Sequence, residues 1–155
     1  MYEHSRCDLT AATVLGLRGP LTASRCGVGE SVPFFDPALL IHPPTSPGSL
    51  VGVVPHYADQ SLAREVRGDI VIDMTADIDR VIDDVARCGL VHTSSLHGAI
   101  LADAFGIARV VHYSSVVRGN GFKFRDWEAA VAQRGIGRMR EDARGAFERL
   151  CGLSS

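Results

Sequence analysis

Apolar residues come in short runs along this chain, and the runs alternate with stretches of a different period. Leu50-Val-Gly-Val-Val54, Asp69-Ile-Val-Ile-Asp73, Leu90-Val91 and Ala108-Arg-Val-Val-His-Tyr113 are uninterrupted rather than alternating, the pattern of strands covered on both faces. Val14-Leu-Gly-Leu17 reads as a further short buried strand. Between these runs the period changes to that of a helix. Ile78, Val81, Ile82 and Val85 recur at i, i+3, i+4 and i+7 within a helix expected over Asp77–Cys88, with Thr75 as its cap. Ala99, Ile100, Ala102, Ala104 and Phe105 form an apolar helix that stops at Gly106. Shorter helices are expected from Pro20 to Gly27, with proline at the first turn and glycine past the end, and from Ala58 to Arg67. A helix opens at Lys123 and runs to about Gln133, and a charged amphipathic helix from Arg138 to Leu150 is expected to pack on the sheet. Gly119-Asn-Gly121 is a turn, and the proline-rich stretch 41–48 is a surface loop or linker. Strands alternating with helices imply an α/β fold: a parallel-sheet, Rossmann-like domain.

Length and composition fit one domain over residues 1–155. The hydrophobic share of 46% is that of a globular chain. A formal net charge of −2 gives no general attraction to nucleic acid. All 16 basic residues but Lys123 are arginine, a bias that genomic base composition explains without appeal to function. Cys7, Cys26, Cys88 and Cys151 have neither C-x-x-C pairing nor regular spacing, so reduced thiols are expected, with no metal site and no disulfide framework. With no signal sequence and no transmembrane-length apolar run, the expectation is a soluble cytoplasmic protein whose membrane contact is at most peripheral.

The chemistry concentrates in Gly89–Gly106. A strand end, Leu90-Val91, leads through Thr93-Ser-Ser95 into Leu96-His-Gly98 and the apolar helix. Strand, small-residue turn and helix together aim unbonded N–H groups and the positive end of a helix dipole at an anion. His97 sits at that turn, where a side chain that exchanges protons near neutral pH meets a bound anion. Arg18, between an expected strand and helix, and His56, just after Leu50–Val54, occupy comparable ends; Arg18 reads equally well as a solvated surface residue, and His56, as a lone histidine, reads more readily as structural. His92 and His97 are five apart across a turn, not at the i, i+4 spacing of a helical metal site, and Ser94 and Ser95 lack the G-x-S-x-G setting of a hydrolase. The aspartates at 77, 79, 83 and 84 read as a solvated face.

Ser94-Ser-Leu-His-Gly98, followed by the apolar helix and Gly106, resembles the signature of polysaccharide pyruvyl transferases. Arg18-Gly-Pro-Leu-Thr-Ala23, Asp36-Pro-Ala-Leu-Leu40, Val54-Pro-His-Tyr57 and Phe122-Lys-Phe-Arg-Asp-Trp127 look like the flanking blocks in the family's order, so the resemblance runs from about Val14 to Glu128. It implies the C-terminal half of a GT-B fold, two Rossmann-like domains around a cleft. The reaction it implies moves the pyruvyl group of phosphoenolpyruvate onto two sugar hydroxyls as a cyclic ketal. The donor is a substrate, and no cofactor or metal is implied. On this resemblance His97 is the general acid or base, while Ser95, the Leu96 backbone, Gly98, Arg18 and His56 bind substrate. Ser95 stands where some members carry arginine. The partners implied are phosphoenolpyruvate and a glycan acceptor, with a separate N-terminal half or a second copy of the chain also open. Two other readings stay open: a non-catalytic half that binds a partner or ligand, and a GT-B nucleotide-sugar glycosyltransferase using Asp126 or Glu128 on the ribose. The chain is expected to fold alone without turning over.

Overall fold

The computed structural model describes residues 9, 11–29, 31–42, 45, 46 and 48–153. Cys7 and the prolines of the 41–48 stretch lie outside the described residues. The chain divides into two compact units, residues 1–40 with 122–155, and residues 41–121.

The second unit is an α/β Rossmann-like sheet. Strands β1 (Leu50–Val54), β2 (Ile70–Val71), β3 (Cys88–Thr93) and β4 (Ala108–Val111) form one sheet in the order β2-β1-β3-β4, every pair parallel. The register sets Val54 beside Thr93 and Thr93 beside Val111, so three strands end level. Helices α2 (Leu62–Glu65), α3 (Ile78–Ala86) and α4 (Leu96–Phe105) connect them. Helices α3 and α4 pack on each other and on β3, and Val81, Val85, Ile100 and Leu101 of the helices are buried, as are Val53, Val54 and Val91 of the sheet. Removing that much aliphatic surface from water is the main term holding the unit together.

Helix α4 starts and stops as its sequence suggests. Ser95 is its extended N-cap residue, and Gly106, at φ 69°, ends it in the left-handed conformation that glycine adopts without a Cβ penalty. Three expectations are corrected. Helix α3 is capped by Asp77, whose carboxylate accepts from the Asp79 amide, whereas Thr75 is folded into a turn on Asp73. Helix α2 is one turn rather than ten residues, and Ile78 at the head of α3 is exposed.

The first unit holds α1 (Pro20–Cys26), a 3-10 turn at Pro37–Leu40, and α5 (Phe122–Leu150), which is broken at Gly135 with φ 73° and ψ 150°. The break falls between the two helices expected from the sequence. The tail helix, expected on the sheet, is grouped in this unit, where Arg140 Nε donates to the Leu39 carbonyl at 2.8 Å. Val14–Leu17 forms no strand: only Leu17 bridges, exchanging bonds of 2.9 and 2.8 Å with Pro33 and Phe35. Phe34, Leu39, Trp127, Ala130 and Met139 are fully enclosed and make the core.

Candidate functional site

The Ser94–Gly98 block lies where β3 runs into α4. Thr93 organises it from below. Its hydroxyl accepts from the Ser95 amide at 2.9 Å and lies 2.8 Å from the Val54 carbonyl and 3.0 Å from that of Ser95. The fully buried threonine thus fixes the turn to the end of β1. The first helical bond runs from the Ala99 amide to the Ser95 carbonyl at 3.1 Å. Helix geometry leaves the amides of Leu96, His97 and Gly98 without a carbonyl one turn back, and the Ser95 side chain caps none of them. These amides and the helix dipole favour an anion at this spot.

Within the block only His97 is exposed; Ser94, Ser95, Leu96 and Gly98 are buried. Gly98 has a packing reason to be glycine. A Cβ there would stand 2.7 Å from both Thr93 Oγ1 and Val54 Cγ1, so the first turn of α4 sits directly on the strand ends only because that atom is missing.

His56 follows β1 and reaches the same block through its backbone, its amide donating to Ser94 Oγ at 3.0 Å. Its ring Nδ1 accepts from the Ala58 amide at 3.2 Å, and its plane leans on Tyr57 with 4.3 Å between centroids. Sequence reading missed the group beneath it. Asp59 is buried, and burial by itself would raise its carboxyl; hydroxyl bonds from Ser61, Ser114 and Ser94, with the nearby charge of His56, outweigh that and hold it below the ordinary 3.8. Asp59 therefore ties together the segments following β1, β3 and β4. Asp59 and Ser61 are neighbours, but Ser94 and Ser114 lie far from them in sequence with no periodic signal, and only the level strand ends bring the four together.

A second missed feature is a histidine pair. His92 Nδ1 of β3 and His112 Nε2, just beyond β4, are 3.0 Å apart. Desolvation, then the neighbouring His112, pushes the pKa of His92 down. Among the described residues no group of three or more His, Cys, Asp or Glu side chains could hold a metal.

Arg18 belongs to the first unit, and the other five proposed site residues to the second. Its Nε lies 3.5 Å from Asp126 Oδ2, while the same carboxylate accepts from the Thr22 amide at 3.0 Å and from the Thr22 hydroxyl. Asp126 is fully enclosed, so it is spent on this local clamp and does not present itself to a ribose.

Among the described residues no helix is long and apolar enough to cross a membrane. No family model matches the chain. No solved structure matches it either. The chain is similar to the succinoglycan biosynthesis protein ExoV of Rhizobium meliloti (strain 1021), with 31% identity over 126 residues. That alignment takes in 74% of this chain and 39% of the relative, so the shared stretch spans well under half the length of the protein it resembles.

Proposed function

We propose that this chain is a transferase domain of polysaccharide biosynthesis that carries the pyruvyl group of phosphoenolpyruvate to two sugar hydroxyls. The single observation that carries the reading is one exposed histidine on the first turn of a ten-residue helix whose leading amides have no side-chain cap and no carbonyl one turn back. Similarity to a succinoglycan biosynthesis protein supports it.

The chemistry asks for such a turn. A proton adds to the methylene carbon of phosphoenolpyruvate, two sugar oxygens bond to its central carbon, and the carbon–oxygen bond to phosphate breaks. Of the two hydroxyl protons, one ends on the new methyl group and the other leaves with phosphate. His97, beside the bound anion, is the group that moves a proton. The amides of Leu96 to Gly98 hold phosphate or carboxylate in the way fixed backbone donors stabilise developing charge. Ser94, Ser95, Thr93 and Asp59 hold that turn still.

The test is nitrogen-15 NMR of the 155-residue chain titrated with phosphoenolpyruvate. The amides of Ser95 to Gly98 should move first, and His97→Ala should weaken binding while the rest of the spectrum stays in place. Shifts scattered over the surface, or none at this turn, would overturn the assignment.

A further inference from the structure

A cleft of ≈ 630 Å³ opens beside this turn within the second unit, between the segment Asp59–Glu65 and the segment Val111–Val116. Its size is within the roughly 300–1,000 Å³ of small-ligand sites. Its chemistry is the opposite of the α4 terminus. Asp59 and Glu65 contribute two carboxyl groups, and neither arginine nor lysine lines it. The imidazole of His112, its one basic side chain, is already engaged with His92. A phosphorylated donor would meet two carboxylates on one wall there and would have no arginine or lysine to bind.

A neutral polyol meets a matching surface. Ionised carboxylates accept short, strong bonds from hydroxyl donors, and two oxygens on one carbon suit adjacent hydroxyls. Asp59 forms the buried floor, its carboxylate engaged by the hydroxyls of Ser61, Ser114 and Ser94, and Glu65, at an exposed position, is the carboxylate that meets the sugar. Tyr113, 58% exposed, and Val116, 57% exposed, give the wall an amphipathic ring and an apolar edge for the C–H face of a sugar. Asp59 also reaches Ser94, so the cleft and the α4 turn share a hydrogen-bonded wall.

We propose that this cleft is a binding site for a neutral sugar presenting adjacent hydroxyls. Its identification as the acceptor site rests on the pyruvyl-transfer reading; sugar binding itself does not.

The experiment titrates the nitrogen-15-labelled chain separately with methyl β-D-galactopyranoside, methyl β-D-glucopyranoside, glucose 6-phosphate, calcium chloride and phosphoenolpyruvate. At least one neutral glycoside should shift amides in 59–65 and 111–116, with glucose 6-phosphate about tenfold weaker because of its charge. Glu65→Gln and Tyr113→Ala, both at exposed positions, should each weaken that binding about fivefold or more and leave the remaining spectrum unchanged. No glycoside shift at the cleft up to ~100 mM, a range that captures even the weakest specific sugar sites, would overturn the proposal. Calcium or phosphoenolpyruvate occupying the cleft in preference to the glycosides would do so as well. Glycoside shifts at the cleft, with phosphoenolpyruvate silent at Ser95 to Gly98, would uphold the sugar site and remove the pyruvyl reading.

Discussion

Asp126 puts a carboxylate where solvent does not reach, and surrounds it with the Thr22 amide, the Thr22 hydroxyl and the Arg18 guanidinium. Leaving the arginine without its partner inside a packed unit is expensive, so Asp126→Ala should destabilise the chain by about 3 kcal/mol, read from chemical denaturation. Gly19 belongs to the same arrangement: a Cβ there would lie 2.1 Å from the Asp126 carbonyl oxygen, so the two segments touch through backbone. His97 is the contrasting residue. It is exposed, and its replacement by alanine should change stability by no more than about 0.5 kcal/mol while lowering turnover of a catalytically complete protein about a hundredfold or more. Comparable losses of stability and activity would recast His97 as structural. At this scale the sequence was informative about residue type and silent about engagement. Arg18 looked like a clamp for a ligand anion, and its immediate anion is Asp126. Nothing in spacing could connect positions 18, 22 and 126, because the link is made by packing.

At the scale of elements, legibility followed local chemistry. Helices α1 and α4 end at Gly27 and Gly106, both in the left-handed conformation, and those ends were readable because glycine's advantage there needs no distant partner. The cap of α3 was misplaced since Thr75 and Asp77 are both good capping residues, and Asp73 draws Thr75 into its own turn. Val14–Leu17 has the apolarity of a strand but pairs only at Leu17, because sheet pairing needs a neighbour in register that composition does not reveal. The Gly98 contact gives a sharp test: Gly98→Ala should destabilise by about 1–3 kcal/mol, measured by thermal or denaturant melting, as α4 is pushed off the strand ends. The histidine pair gives another. His92 has a folded pKa below its ordinary 6.5, so below that value the unfolded chain takes up the proton more readily. The associated stability is present above about pH 6.5 and is lost as pH falls through the lower, folded value. Melting temperature should therefore drop across that acid window, and His92→Asn should flatten the drop.

For the whole molecule, an α/β sheet followed from uninterrupted apolar runs separated by helical periods, and the parallel order β2-β1-β3-β4 realises it. The division into two compact units was not readable, since residues 1–40 and 122–155 join across an 81-residue separation that leaves no pattern in either segment. The candidate site was legible where it is contiguous, at Ser94–Gly98, and illegible at Asp59 and His112, which reach it from other strand ends. The cysteines sample both units. Cys88 is enclosed, and burial, with Asp84 nearby, pushes its thiol above the ordinary 9.0, whereas Cys151 is exposed. A thiol reagent should label Cys151 quickly and Cys88 only on unfolding, as peptide mapping by mass spectrometry would show.

Trp127 is the single tryptophan of the chain and is wholly enclosed among the core residues of the first unit. Its fluorescence should be blue-shifted, and it reports on that unit alone. Far-ultraviolet circular dichroism instead reads the helices of both units, α1 and α5 in the first and α2 to α4 in the second. The protein thus carries one optical channel local to the first unit and one that sums over both units. Superimposable melting curves in the two channels would mark a single cooperative transition, and separated ones would measure how independently the halves come apart.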